Sequence, residues 1–583
     1  MLNFCNVNTL WGSILVATLV KLGLKTAVIC PGSRSTPLTV AFANNDEVET
    51  IPILDERSAA FFALGKAKQT ALPTVLVCTS GTAGANFYPA IIEAKESRIP
   101  LIILTADRPR ELRNCHAGQT IDQVKLYGNY PNWYAELAIP EANMGMLRYL
   151  RQNIIQAWER SLFPISGVVH LNLPFREPLA PIAQPEVQVL ELNFPTEDFF
   201  CHLSFTNSYK ANSITYQIPD FSVTKGIIIA GLAQPKDPEE YCIAIALIAE
   251  KLNFPVLAEA LSPLRNYANL NPHLIVTYDI ILRNKNIAEQ LTPKVIIQLG
   301  KLPTSKILRN WLEQLNTPRY IIESSSESFD PLHGNTIHLR SSVSDFTHNL
   351  NPTPDPKINN QYLQQWLNLD RQSRNAIADK MESLDILYEG KVSWLLSQNL
   401  PSQTPLFIAN SMSVRNAEFF WQPNHSKVIP YFSRGANGID GTLSTALAIA
   451  HNNQSTVLLT GDLALLHDTN GFLIRNKFQG HLTIIVINNN GGGIFDMLPI
   501  TTFNPPFEEY FATPQEVELS QLCVTYGVEH KLIDNWQQLV HLLNPLPTTG
   551  IRVLEIPTNR KADAYWLQVN LWEIAQNLNL GNG

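Results

Sequence analysis

Two short segments have the residue types to hold a divalent cation and a diphosphate together. Gly461-Asp462-Leu463 closes the apolar run 456–460, and Asn488-Asn489-Asn490-Gly491-Gly492 closes a second run at 482–487. Mg²⁺ is small and hard, prefers octahedral oxygen ligands, and is commonly held by a carboxylate plus substrate phosphates. Asp462 would supply the charge, while the side-chain carbonyl of Asn489 and the main-chain carbonyl of Gly491 would add neutral oxygens. Glycines let the backbone approach a ligand closely. Mn²⁺ accepts the same oxygens. Alone, Gly-Asp is an ordinary turn and Asn-Gly-Gly an ordinary loop. The pair gains weight from its spacing, 27 positions (489 − 462), which fits one strand-helix-strand unit. In an open parallel sheet, ligands collect beyond the carboxyl ends of the strands, where both segments would fall.

A second group of residues has acid or anion-binding chemistry. Ile53-Leu54-Asp55-Glu56-Arg57 precedes a helical stretch at 58–65, and on the residues alone Glu56 is a first-turn acid favoured by the helix dipole. Arg34, Arg108, Arg415 and Arg434 lie in Gly/Ser-containing loops after strand-like runs, on a chain of net charge −8. Arginine's planar fork binds carboxylates in bidentate fashion. Taken singly, each would be a surface ion pair worth little.

The elements that must position these residues read as α/β throughout, with parallel sheets flanked by helices. At 583 residues the chain is too long for one core. Proline-rich stretches at 172–195 and 351–357 read as linkers and divide it into three blocks. Strand-like runs lie at 26–30, 74–78, 101–105 and 167–171 in the first, at 226–230, 295–299 and 320–323 in the second, and at 406–409, 427–431, 456–460, 483–487 and 551–556 in the third. The acidic balance leaves no electrostatic footprint for nucleic acid. Seven cysteines, odd in number and without a Cys-x-x-Cys pair, point to a reduced, cytoplasmic protein. The first lysine is Lys21 and no apolar run is long enough to span a bilayer, so neither a leader nor a membrane anchor is expected; 14–24 reads as an amphipathic helix. The thirteen histidines show no metal-ligand spacing.

The Asp462 and Asn489 segments resemble the diphosphate-binding motif of the thiamine diphosphate-dependent enzymes. Five further segments narrow that resemblance: Pro31-Gly32-Ser33-Arg34-Ser35-Thr36-Pro37-Leu38; Thr105-Ala106-Asp107-Arg108-Pro109 with Gln119 downstream; Asn410-Ser411-Met412-Ser413-Val414-Arg415; Ser433-Arg434-Gly435-Ala436-Asn437-Gly438-Ile439-Asp440-Gly441; and Gly493-Ile494-Phe495-Asp496-Met497-Leu498-Pro499. They are similar to the carboligase family of menaquinone and phylloquinone synthesis, with a match that is weak through the middle block.

The resemblance implies a thiamine diphosphate-binding fold with a pyrimidine-binding domain (1–185), a central domain (186–355) and a diphosphate-binding domain (356–583). It implies decarboxylation of 2-oxoglutarate and addition of the succinyl unit to isochorismate. Both substrates are dicarboxylates, which several arginine forks would serve. Glu56 would hydrogen-bond the cofactor's pyrimidine, a role for a carboxyl that can keep or share a proton, and Ile439 would wedge between the two cofactor rings. Asp462, Asn489 and Gly491 would hold Mg²⁺ (or Mn²⁺) and the diphosphate. Ser33, Gln119 and Ser411 would join Arg34, Arg108, Arg415 and Arg434 on the substrates, with Ile494, Phe495 and Leu498 as an apolar wall. A homodimer or dimer of dimers is implied, each site drawing its pyrimidine-binding and diphosphate-binding domains from different subunits. In Thr304-Ser305-Lys306-Ile307 the family often has a basic residue at the position of Ile307, and Lys306 is its candidate substitute. No Gly-x-Gly-x-x-Gly follows a strand of the middle block, so no FAD is expected.

Two rivals remain. Another thiamine diphosphate-dependent 2-oxo acid decarboxylase or acetolactate-type synthase would share Glu56, Asp462 and Asn489 but not the arginine set. A non-catalytic protein that kept the fold would have no need of the acid or the metal ligands.

Overall fold

The computed structural model describes residues 2–203, 219, 221, 223, 225–351 and 360–580. They build three six-stranded sheets in which every pairing is parallel. The first contains β1 (Thr26–Ile29), β2 (Glu49–Pro52), β3 (Thr74–Cys78), β4 (Leu101–Asp107), β5 (Trp133–Glu136) and β6 (Val168–Pro174), in the order β2-β1-β3-β4-β6-β5. The second contains β7 (Gly226–Ala230), β8 (Val256–Ala258), β9 (Leu274–Ile275), β10 (Val295–Leu299), β11 (Arg319–Ile322) and β12 (Thr336–Leu339), in the order β12-β11-β10-β7-β8-β9. The third contains β13 (Pro405–Ile408), β14 (Ile429–Tyr431), β15 (Thr456–Gly461), β16 (His481–Asn488), β17 (Glu529–Leu532) and β18 (Gly550–Pro557), in the order β14-β13-β15-β16-β18-β17. β1, β3, β4 and β6 are buried at every position, as strands covered by helices on both faces must be, and so they read as unbroken apolar runs.

The first and third sheets have the same strand order, so they are two copies of one topology. The middle sheet follows the dinucleotide-binding order, but the turn after β7 is Gly231-Leu232-Ala233-Gln234-Pro235 rather than a glycine-rich loop. An ideal Cβ on Gly231 would lie 1.7 Å from the carbonyl oxygen of Lys301, so this glycine serves packing.

By internal contacts the chain divides into two compact units. One contains Met1–Ala211, Ser433–Asn452 and Leu466–Gln479, and the other Asn212–Phe432, Asn453–Leu465 and Gly480–Gly583. The first sheet lies in the first unit; the second and third sheets lie in the second.

Two expectations change. The helix near the N-terminus spans Val7–Lys21 and is buried on nearly all sides rather than amphipathic, with an Asn6–Thr9 capping box at its start. The stretch at 172–195 is not a free linker. It begins as the end of β6, and its carbonyls are then satisfied by two asparagines: Asn6 Nδ2 donates to Ala180 and Ile182 (2.9 and 3.0 Å), and Asn8 Nδ2 to Arg176 and Pro178 (2.8 and 2.9 Å). A proline-rich strand end has carbonyls that no neighbouring strand takes up, and the side-chain amides supply the donors. Of the stretch at 351–357, all but residue 351 lies outside the described residues. Among the described residues no helix is long and apolar enough to cross a membrane.

Candidate active site

In the first unit, four strands deliver candidate residues to one edge of their sheet. Arg34 follows β1, Glu56 follows β2, Ser80 and Gly81 follow β3, and Arg108 follows β4, all at carboxyl ends. Glu56 opens the helix Glu56–Thr70, which Asp55 caps through Ser58 N (2.9 Å). Both neighbours of Glu56 are anchored: Asp55 Oδ2 accepts from Asn470 Nδ2 (2.8 Å), and Arg57 donates to the His467 carbonyl (2.7 Å). The helix crosses Thr442–Ala450 so closely that a Cβ on Gly65 would lie 2.5 Å from the Thr445 oxygen. Glu56 itself is half-buried, and no donor among the described residues engages its carboxylate.

Arg34 is buried, donates to the Phe175 carbonyl (3.0 Å) and lies 3.4 Å from Glu177, while its Nε has no partner among the described residues. Arg108 donates to Ser80 Oγ and to the Gln119 carbonyl (3.1 Å). Burial and the neighbouring Arg34 charge hold the Arg108 guanidinium below its ordinary range. Gln119, in a left-handed conformation (φ 56°), donates through Nε2 to the Ser80 carbonyl (3.0 Å). The structure thus brings Arg34, Arg108 and Gln119 into one setting, with exposed Ser33 in the same loop as Arg34. The segment after β14 also belongs to this unit: Gly435 and Ala436, beside Arg434, donate their amides to the Glu93 carboxylate (3.0 and 2.7 Å), and the Ile439 carbonyl accepts from Thr442 Oγ1 (2.8 Å).

In the second unit, Asp462 follows β15 and Asn489 to Gly491 follow β16. Asp462 Oδ1 accepts from Leu463 N (2.8 Å) and Oδ2 from Gly491 N (2.9 Å). Gly491 has φ +141°, and a Cβ there would lie 2.5 Å from the Ala512 oxygen, so the turn requires glycine. Asn489 Nδ2 donates to Glu389 Oε2 (3.3 Å), whereas its Oδ1 is buried and without a partner among the described residues. A Cβ on Gly461 would meet nothing within 4 Å, which leaves open space beside Asp462. Three acids crowd here. Burial pushes Asp462 up to about 6. Burial and the nearby Asp563 push Glu389 up to about 7, and burial takes Asp563 to about 6. No lysine or arginine among the described residues pairs with them. An orphaned amide oxygen, an uncompensated buried carboxylate and an open glycine-lined space fit a divalent cation carrying a diphosphate. No group of three or more His, Cys, Asp or Glu converges on a metal site among the described residues, but one carboxylate with amide and peptide oxygens is a donor set that Mg²⁺ takes.

Ser411 follows β13 with φ 65°, a strained setting for a residue with a Cβ, and its carbonyl accepts from Arg415 Nη1 (2.6 Å). Ile494 packs on the core and Phe495 stands edge-on to Phe511 (5.7 Å between centroids), while Leu498 is 41% exposed. Their loop is clamped by Arg560, whose Nη1 donates to both oxygens of Asp496 (3.0 and 2.9 Å). Lys306 is exposed as the first residue of the helix Lys306–Glu313, which Ser305 caps through Leu308 N (3.0 Å).

Several residues here carried no sequence signal: Ser80, Glu389, Arg560 and a buried network at Glu418. Glu418 lies in Met412–Phe420 with Ser411 and Arg415 at its head. It accepts from Ala260 N (2.8 Å) and from the Tyr278 hydroxyl, and it forms an ion pair with Arg265 (3.1 Å). Burial pushes it up to about 8, against the opposing pull of Arg265. An i+3 acid after Arg415 on a short helix was the one available cue.

Residues 11–126 match the family described as "Thiamine pyrophosphate enzyme, N-terminal TPP binding domain", and residues 201–408 match "Middle domain of thiamine pyrophosphate". The fold is similar to that of a thiamine diphosphate-dependent 4-hydroxybenzoylformate decarboxylase from Rhodococcus jostii RHA1 (TM-score 0.68, 15% identity, 94% of this chain and 99% of that one). It is similar also to benzoylformate decarboxylase from Polynucleobacter necessarius (TM-score 0.66, 16% identity, 94% and 98%). Fold, sheet edges and domain matches together define a thiamine diphosphate-dependent enzyme. Among curated relatives, 2-succinyl-5-enolpyruvyl-6-hydroxy-3-cyclohexene-1-carboxylate synthase from Gloeothece citriformis is 64% identical over 98% of this chain and 99% of its own length, and that from Rippkaea orientalis is 60% identical over 99% and 98%. The chain belongs to this synthase family.

Proposed function

We propose that the enzyme decarboxylates 2-oxoglutarate and joins the succinyl unit to isochorismate, giving 2-succinyl-5-enolpyruvyl-6-hydroxy-3-cyclohexene-1-carboxylate and CO₂ for menaquinone or phylloquinone synthesis. The observation that carries this reading is the pairing of Arg34 with Arg108. Burial and the charge of Arg34 lower Arg108 despite the opposing charges of Asp107 and Glu177, and two guanidinium forks in one setting suit a dicarboxylate, which both substrates are. Such a site suits a small monoanionic 2-oxo acid less well than a dicarboxylate.

When bound, thiamine diphosphate supplies a nucleophilic carbon and an electron sink for loss of CO₂ from a 2-oxo acid. Asp462, Asn489 and Gly491 would hold its diphosphate through Mg²⁺ or Mn²⁺. Glu56 would share a proton with the pyrimidine, and Ile439 would fix the bend of the cofactor. Arg34, Arg108, Arg415 and Arg434, with Ser33, Gln119 and Ser411, would fix the carboxylates and steady negative charge as it develops. Ile494, Phe495 and Leu498 would exclude water, which would otherwise divert the succinyl unit to the aldehyde. Lys306 is the candidate for the distal carboxylate of the donor. In this reading 1–185 binds the pyrimidine, 186–355 is a spacer without flavin and 356–583 binds the diphosphate. Two subunits complete each other's sites in a dimer or dimer of dimers. Seven free cysteines fit a cytoplasmic setting.

The test is loss of isochorismate absorbance with 2-oxoglutarate, thiamine diphosphate and Mg²⁺, each omitted in turn, for the wild type and Glu56→Gln. Dependence on every component and collapse in the variant support the reading. CO₂ released from a 2-oxo acid with isochorismate untouched would favour a decarboxylase instead.

A further inference from the structure

Glu389 is the first residue of the helix Glu389–Asn399 and is 5% exposed. Its own amide donates to Asp563 Oδ2 (3.3 Å), and its carboxyl takes hydrogen bonds from the amides of Asn489 (3.3 Å) and Asn416. A buried acid beside other buried acids, with no cationic side chain among the described residues to offset it, is costly to keep. Its geometry suggests what it does there. An asparagine amide has one acceptor oxygen and a donor NH₂. With Nδ2 of Asn489 committed to Glu389, Oδ1 is turned away from that carboxyl, and it is this oxygen that is buried without a partner among the described residues. The flipped amide would set oxygen against a carboxylate and present NH₂ to any cation, which is unfavourable on both sides.

We infer that Glu389 is a positioning residue that fixes the Asn489 amide so that its oxygen faces the metal. The inference rests on the reading of Asp462, Asn489 and Gly491 as the metal-diphosphate site. In this assignment Glu389 acts through Asn489. Outer partners of metal ligands typically account for about 10–100-fold in metal affinity.

The experiment measures Mn²⁺ binding by loss of the free-ion electron paramagnetic resonance signal, in the full-length protein with thiamine diphosphate. Wild type, Glu389→Gln and Glu389→Leu are compared, with the melting temperature of each apo protein alongside. Glu389→Leu removes the acceptor and is expected to weaken Mn²⁺ binding by about 10–100-fold, without a matching fall in apo melting temperature. Glu389→Gln keeps a carbonyl acceptor and is expected to bind within a few-fold of wild type. A folded Glu389→Leu that binds Mn²⁺ as tightly as wild type overturns the inference. Should the leucine variant not fold, the glutamine variant decides: near-wild-type affinity supports the inference, and a loss as large as that expected for leucine overturns it, because charge rather than orientation would then matter. A wild type that takes up no Mn²⁺ with thiamine diphosphate would instead remove the metal-site reading itself.

Discussion

The amide of Gly491 donates to Oδ2 of Asp462 across 2.9 Å, fastening the turn after β16 to the turn after β15. Because Gly491 sits at φ +141° with the Ala512 carbonyl against its Cα, no side chain fits without moving that turn. Gly491→Ala is therefore expected to cost about 1–3 kcal/mol locally and to abolish tight binding of thiamine diphosphate with Mn²⁺. Calorimetric titration checks it; unaltered affinity would show that the turn is not part of the site.

Arg108 donates to Ser80 and to the Gln119 carbonyl while crowding Arg34. Lysine keeps the charge but not the planar fork. Arg108→Lys is expected to raise the KM for isochorismate by about 10–100-fold, the range of a lost charge-assisted hydrogen bond, and to leave cofactor affinity unchanged. Steady-state kinetics beside cofactor titration separates the two. A parallel loss of cofactor binding would mean that Arg108 supports the fold of the edge rather than the substrate.

Arg265 is fully buried and serves Glu418, whose helix begins beside Ser411 and carries Arg415. Arg265→Met would strand the Glu418 acid among Tyr278 and Glu259. Removing one partner of a buried pair typically costs about 3–5 kcal/mol, so the first thermal transition is expected several degrees lower. A melting temperature equal to the wild type would contradict this.

Burial pushes the His170 imidazole down to about 3, where it lies 2.8 Å from Thr105 Oγ1 and edge-on to Tyr127. The unfolded chain protonates this histidine near pH 6.5 and the folded chain does not. Stability contributed by the neutral ring is thus complete above about pH 6.5 and is lost as pH falls toward 3. By pH 5 the loss is about 2 kcal/mol. His170→Phe keeps the ring packing and removes the titration, so its melting temperature is expected to fall less between pH 7 and pH 5 than that of the wild type. Parallel falls would contradict the assignment.

The central strands were legible because both their faces are buried: 74–78, 226–230, 295–299 and 456–460 appear almost residue for residue as β3, β7, β10 and β15. The strands that escaped are mostly edges. Glu529-His530-Lys531-Leu532 forms β17 beside β18 alone, and Trp133–Glu136 forms β5 beside β6 alone, so neither needed an apolar run. The shared order of the first and third sheets was invisible because topology leaves no trace in residue types. At the candidate site, the meeting of Asp462 with Gly491 was legible because both stand in glycine turns at strand ends. Glu389 was not, since the contact that gives it meaning reaches a residue 100 positions away. The left-handed Ser411 and the clasp of Asp496 by Arg560 are likewise products of the tertiary fold.

The central claim is that one enzyme couples loss of CO₂ to capture of isochorismate. The most direct measurement is the ratio of CO₂ released to isochorismate consumed, with 2-oxoglutarate, thiamine diphosphate and Mg²⁺ all present. A ratio of about one, with the succinyl adduct recovered by mass spectrometry, is the expected result for a site that positions the acceptor before water can intervene. CO₂ released in large excess, or with no isochorismate consumed, would contradict it.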